Sequence, residues 1–464
     1  MVKRGLVGNA KHRESAGEFI SAGDRPGPRP GTMFRDAAPD LWFQGLGIAG
    51  TPRVVRRQGR GQRLVPNHGT DKNKGPDGDR LPGKRNGMAR MGLGTRKDWL
   101  LLALVTGLSV GLWLWPTGFE ERLPADALQV KATVTAVDNA HVRQYGLVRE
   151  GEQRVTAVPV SGPFAGRTVV ADNILVGKLE MDKMFAPGDS ALLVLSLRGS
   201  EIVSAVAQDH WRLSLQGLLL GLFALALIAY AGMVGVKAVV SFVFTALLLW
   251  KVLVPATLAG VDPMLSVLGV VAALMAAIVF LVGGVNRRSL AAYLGSLGGV
   301  GVTCLLSLAT APGFALPGSV KPFAETLLYT GYAHLDLGRM FLATICLGAS
   351  GAIMDVAMDV AASQSEVAAH HPEIGRMGLC LSGFRVGRVV VGTMATTLLL
   401  AYCGGSLALL MVVMAQGVPL INVATMPHVA AEIANTLVGS FGLVTAAPLT
   451  AVAGALLLAE RRQG

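Results

Sequence analysis

Residues 350–366 read Ser350-Gly-Ala-Ile-Met-Asp355-Val-Ala-Met-Asp359-Val-Ala-Ala-Ser363-Gln-Ser-Glu366, two carboxylates inside a stretch otherwise apolar enough to cross a membrane. A spacing of four stacks Asp355 and Asp359 on one face of a helix, and Ser363 and Glu366 continue that face toward the helix end. An ionised Asp in hydrocarbon costs roughly 3 kcal/mol or more, so acids at this depth normally face a bundle interior or a wet cavity. The stripe therefore predicts buried carboxylates in a polar cavity, and with them an ion or proton site.

Composition supports a bundle around that stripe. Of 464 residues 52% are hydrophobic and only 15% charged, with 58 glycines, which is too apolar for a soluble chain of this length. The net charge of +11 is local: residues 1–98 hold 20 of the 41 Lys/Arg and 9 of the 30 Asp/Glu, so the remainder is balanced. A basic excess confined to one tail gives no reason to expect a nucleic-acid partner. The expected partners are the lipid bilayer and an unknown small solute or ion, with oligomeric state open.

That tail is rich in Gly, Pro and Arg, as in Arg25-Pro-Gly-Pro-Arg-Pro, and lacks any sustained period of 2 or 3.6. It reads as a disordered basic segment over 1–97. Met88 and Met91 each open an ordinary membrane-protein start, so the first 87 residues also read as an over-extended frame. An anchor follows at 98–116, with Arg96 and Lys97 before it and Trp113 and Trp115 at its far end, which predicts a cytoplasmic N-terminus.

Residues 117–210 change character. Lys131-Ala-Thr-Val-Thr-Ala-Val, Arg154-Val-Thr-Ala-Val-Pro-Val and Ala191-Leu-Leu-Val-Leu-Ser-Leu are β-branched or alternating, with turns between them. They predict a small exported β-rich domain, barrel or sandwich. From 211 to 464 a multi-helix transmembrane domain of about seven to eight spans is expected, near Leu213–Met233, Val236–Pro255, Met264–Gly284, Leu290–Thr310, Leu337–Ala362, Val386–Tyr402, Leu407–Ile421 and Val438–Leu458. The fold class is thus an all-α polytopic membrane bundle with a small exported β-rich domain after the first span, in the plasma (inner) membrane. Lys237, Arg287 with Arg288, and Arg376 with Arg385 and Arg388 fall on alternate connections, all cytoplasmic if the β-domain is outside. Arg461 and Arg462 break the pattern if all nine runs cross, so either Leu407–Ile421 or the run interrupted by Pro448 is re-entrant or broken.

Other polar groups are candidates for the same cavity: Thr393 and Thr396 near the middle of a span, Arg388 as a cationic partner, and Glu432 as a third carboxylate facing Asp355. Each has a plainer alternative, since a Thr in a span bonds its own backbone and an acid before an apolar run suits a helix N-terminus. His334 and Asp336 offer a gate or proton entry, or an ordinary loop. His370-His371-Pro-Glu373 reads as a solvated loop, because adjacent histidines point apart and rarely chelate one ion. Cys304, Cys346, Cys380 and Cys403 read as small core residues and the Gly295–Gly301 run as a packing surface. No Gly-x-Ser-x-Gly elbow, zinc-protease motif or phosphate loop occurs in the sequence, so the reading is not an enzyme, and no cofactor is called for.

Three segments carry a family resemblance: Gly351-Ala-Ile-Met-Asp-Val-Ala-Met, Val386-Gly-Arg-Val-Val-Val-Gly-Thr-Met-Ala-Thr-Thr-Leu-Leu-Leu-Ala-Tyr, and Ala430-Ala-Glu-Ile-Ala-Asn-Thr-Leu-Val-Gly-Ser-Phe-Gly-Leu-Val. Over about 120–460 the chain resembles the YibE/F-like bacterial multi-spanning membrane proteins. The resemblance implies an architecture and a location more than an activity. It places Asp355 on a family acid, whereas Asp359 stands where a small residue is expected and Val389 where many members carry Asp, a carboxylate exchanged between neighbouring helices. On these readings the chain is a transporter or permease-like protein; the alternative is a non-transporting membrane scaffold whose exported β-domain binds a partner.

Overall fold

The computed structural model describes residues 96–119 and 126–459, so the tail and Arg461 and Arg462 lie outside the described residues. Helix α1 (Arg96–Leu114) precedes β1 (Ala127–Tyr145), β2 (Val148–Pro159), β3 (Val169–Val176), β4 (Ser190–Arg198) and β5 (Glu201–His210). The strands close into a barrel in the order β1-β2-β3-β5-β4, so of the two expected forms the barrel is the one present. Closure depends on the length of β1. Its first residues pair with β4 and the rest with β2, and register shifts at Val134/Ala136 and Asp138/His141 bend it between the two partners.

Alternation fills the barrel. Val169, Ala171, Asn173 and Leu175 of β3 point in while Val170, Ile174 and Val176 point out. Two amides are fully buried among the apolar side chains and bond each other: Asn173 Nδ2 donates to Gln153 Oε1 at 3.0 Å and to Lys183 O at 2.7 Å, while Gln153 Nε2 donates to Phe185 O at 3.0 Å. They tie the β3–β4 connection over the barrel's end.

The helices follow as α2 (Leu213–Ala231), α3 (Met233–Leu248), a π turn at Leu249–Leu253, α4 (Val254–Leu258), α5 (Pro263–Gly283), α6 (Arg287–Phe314), α7 (Ala324–Tyr329), α8 (Leu337–His370), α9 (Arg376–Gly405), α10 (Leu407–Ala415), α11 (Leu420–Thr425) and α12 (Pro427–Leu458). Side-chain caps start three of them: Asp262 accepts from Met264 and Leu265, Asn286 from Ser289, and Asp336 from Arg339. Among the described residues seven helices are long and apolar enough to cross a membrane, with α1 a shorter apolar one. Several run past the apolar stretches that predict them: α8 extends to His370, α9 starts at Arg376, and α12 starts at Pro427 and continues through Pro448. Hydropathy marks where a helix is apolar, not where its hydrogen bonds end.

Of the two runs expected to be re-entrant or broken, Leu407–Ile421 is the broken one. It forms two short helices, nine and six residues, not a span. Contacts give the direction of the rest. Asp98 and Lys237 begin α1 and α3 and pair at 2.8 Å, while Trp115 O accepts from Lys251 Nζ farther along, so α1 and α3 run parallel. Asp262 and Arg339 pair α5 with α8 at their starts. Cys304 of α6 meets Cys346 of α8 while Gly299 meets Ile353, an antiparallel match. Thus α1, α3, α6 and α9 run one way and α2, α5, α8 and α12 the other. Without Leu407–Ile421, the seven long apolar helices and the shorter α1 make eight among the described residues.

Small residues bring α6, α8 and α12 together. A Cβ at Gly295 would run into Thr450, one at Gly298 into Leu449, and one at Gly299 into Ile353 and Ala446, whereas Gly301 faces open space. Gln364 is the fully buried polar residue of α8: its Nε2 donates to Leu379 O at 3.0 Å and Ala451 O at 2.9 Å, joining α8 to α9 and α12.

Candidate functional site

The α8 acids lie opposite that core. Ile353, Val356, Ala357, Val360 and Gln364 face inward, and the outward face carries Thr344, Gly348, Gly351, Asp355, Asp359 and Glu366. The helical spacing holds, but the expected burial does not: Asp355, Asp359 and Glu366 are exposed, and Ser363 is half-buried to one side of the stripe. Periodicity alone shows that Asp355 and Asp359 share a face. It does not say which face packs, and on α8 Gln364 and the alanines take the packed side.

Arg388 is exposed on α9 and forms no ion pair with Asp355 or Asp359 among the described residues. Arg339 is engaged elsewhere, 2.7 Å from Asp262. Thr393 and Thr396 also leave the proposed cavity: their hydroxyls donate to Val390 O at 2.9 Å and Gly392 O at 3.4 Å, the back-bonding that hydroxyls in apolar helices favour.

Glu432 does not face Asp355. It lies in a separate cavity of about 590 Å³, at the end of the bundle that carries the barrel, where the connection between α6 and α8 meets the end of α9 and the start of α12. Lys321 Nζ sits 2.8 Å from Glu432 Oε1, and the two side chains are 32% and 27% exposed. Asn435 Nδ2 donates to Glu432 Oε2 at 3.2 Å. His428 and Tyr402 also line the space, and the buried Tyr402 hydroxyl has no hydrogen-bond partner among the described residues. A Cβ at Gly348 would meet that hydroxyl, so Tyr402 stands between the cavity and the first glycine of the α8 stripe. Sequence reasoning missed Lys321 and Tyr402, which belong to a connecting segment and an apolar helix end. His428, four residues before Glu432 on α12, was within reach of the spacing argument.

The remaining candidates are ordinary. Asp336 caps α8, and His334 packs near Tyr332 and Gly260. The His371 ring lies 3.2 Å from Glu373, whose carboxyl is held below its usual range by a backbone hydrogen bond and by that histidine. Among the described residues no group of three His, Cys, Asp or Glu is placed to hold a metal. Cys304 and Cys346 are buried, Cys380 is half-buried and Cys403 exposed, so core packing accounts for the first two.

A family model described as YibE/F-like protein matches residues 219–460, which takes in the helices after the first part of α2 and leaves out the barrel. No curated protein and no solved structure matches the chain.

Proposed function

The chain belongs to the YibE/F-like family, and from that premise we propose that it is a transporter or permease-like protein of the plasma membrane. In this reading α1 and the seven long apolar helices cross the bilayer, with both termini cytoplasmic and the barrel outside. The alternating helix directions support an even number of crossings. Arg287, Arg288 and Arg376 sit at the end away from the barrel, as cytoplasmic cations do, and Trp113 and Trp115 sit at the barrel end, where an aromatic belt belongs.

One observation carries the transport reading: the cavity holding Lys321 and Glu432 adjoins, through Tyr402 and Gly348, a polar face of α8 that leads to Asp355 and Asp359. Its volume lies in the range of small-molecule sites, roughly 300–1,000 Å³, and its walls carry both signs of charge. A small polar solute meets Lys321 and Glu432 first; Asp355 and Asp359, midway along α8, are the groups suited to a cation or proton. Flux of ions and small solutes into liposomes containing the purified protein tests this. Asp355→Asn is expected to abolish the flux and Glu432→Gln to raise its half-saturation concentration, and flux unaltered by both changes would sink the site.

A second reading, a scaffold that does not transport, is favoured by the apolar row Val170, Ile174 and Val176 exposed on β3, which joins β5 through a single bridge. A partner that copurifies through the barrel, with no flux of any solute, would select it.

A further inference from the structure

The exposed face of α8 is unlike the exposed face of α2. Over 19 residues α2 presents Leu215, Leu218, Leu222 and Leu225 among its exposed side chains, a surface that matches hydrocarbon. Over 34 residues α8 contributes no exposed large apolar side chain. Thr344, two glycines and three acids occupy that face instead. Both helices cannot be built for lipid, and a carboxylate halfway along a span is costly there, so something covers α8.

Two observations say what. The first is close approach. A Cβ at Gly351 meets nothing within 4 Å, and neither does one at Gly392 on α9. Both helices show bare backbone outward, the surface on which membrane helices pack. The second is charge. In the antiparallel α8–α9 pair Gly387 lies against Val360, which brings Asp359 and Arg388 to the same depth. Both are exposed, and Arg388 has no carboxylate within ion-pair distance among the described residues. Two adjoining helices therefore expose an acid and a base at one level.

We propose that this face is covered by the same face of a second copy of the chain, about a two-fold axis along the membrane normal. An axis in that direction keeps both copies in one topology, and an isologous contact repeats each pairing. Asp359 of one protomer then meets Arg388 of the other twice, and Gly351 lies beside the axis. The second copy covers the α8 face on which Asp355 and Asp359 lie. The inference rests on the membrane placement proposed above.

Cross-linking of the full chain in bacterial membranes tests it, with Cys304→Ala, Cys346→Ala, Cys380→Ser and Cys403→Ser as background. Oxidation is expected to join Gly351→Cys into a species of twice the chain mass and to leave Leu222→Cys, on α2, single. Asp359→Arg and Arg388→Asp should each reduce the dimer about tenfold or more, and the double reversal should restore it. Asp359→Asn, a milder change, should weaken it in the same direction. Equal yields at positions 351 and 222, an adduct of any other mass, or yields unmoved by all three charge changes would overturn the dimer while the protein stays in alkali-washed membranes. Release of the protein by the alkaline wash would overturn the membrane reading itself, and the inference with it.

Discussion

Gln364 Nε2 lies 2.9 Å from Ala451 O, a hydrogen bond between α8 and α12 at a point where α9 also arrives. Gly383 and Gly454 leave the room that the amide occupies, since a Cβ at either would collide with it. A fully buried amide with two interhelical bonds is a strong positional constraint, because each bond fixes one helix against another at a single register.

Gln364→Leu keeps the volume and loses both bonds. It is expected to destabilise the protein in detergent by about 1–3 kcal/mol, read as a lower midpoint in thermal unfolding. Gly454→Ala should cost at least as much by displacing the amide, and an unchanged midpoint in both variants would remove Gln364 from this role.

Gln364 also marks how far the sequence could be read. The helical spacing of Asp355 and Asp359, the apolar runs and the five short strands were legible, because periods of 3.6 and 2 survive in a single chain. The direction each face points was not. Which side of α8 packs is decided by Gly299 and Gly442 on other helices, each against Ile353 and far away in sequence. The partnership of Lys321 with Glu432 likewise spans 111 positions and has no local signature.

The topology predicts a labelling pattern. Ala140 is exposed on the barrel, and Val285 is exposed at the opposite end, between α5 and α6. Val285 is a better probe than Asn286, whose side chain caps α6. In intact cells an impermeant thiol reagent should modify Ala140→Cys and spare Val285→Cys. The reverse pattern would invert the orientation.

Acid should weaken the junction between β5 and α2. Burial raises the Asp209 carboxyl, but the His210 N–H at 2.7 Å and Arg212 at 2.9 Å outweigh it and hold the group below the usual carboxylate range. A carboxyl depressed in the folded state stabilises above its unfolded pKa, about 3.9, and loses that contribution as pH falls through the folded value. Melting curves of the native chain and of Asp209→Asn should therefore differ at neutral pH and converge as pH falls below the usual carboxylate range. A gap that persists in acid would assign the effect to packing.

Asp355→Asn is expected to leave expression and melting unchanged, because Asp355 is exposed and has no ion-pair partner among the described residues. Removing its charge leaves no buried cation behind, unlike the loss of one member of a buried pair. A folded variant with no flux would mark a functional acid. A variant that fails to accumulate, rescued by Arg388→Gln, would make Asp355 part of a structural pair instead.

Lys321 and Glu432 call for a cycle of substitutions, because each explains the other's place in the cavity. The pair is about a third exposed, so its own contribution to stability is small, on the order of 1 kcal/mol or less. Lys321→Met and Glu432→Gln should therefore fold, and thermal unfolding should shift by only a few degrees at most. If the pair only braces the connection between α6 and α8, the double change should behave like either single one, with no further loss. If the two charges meet a solute, the singles should differ. Lys321→Met should weaken uptake of anionic solutes and Glu432→Gln that of cationic ones, each seen as a raised half-saturation concentration in liposome flux. Equal effects of both changes on solutes of either sign would assign the pair to bracing and leave the cavity without a binding role.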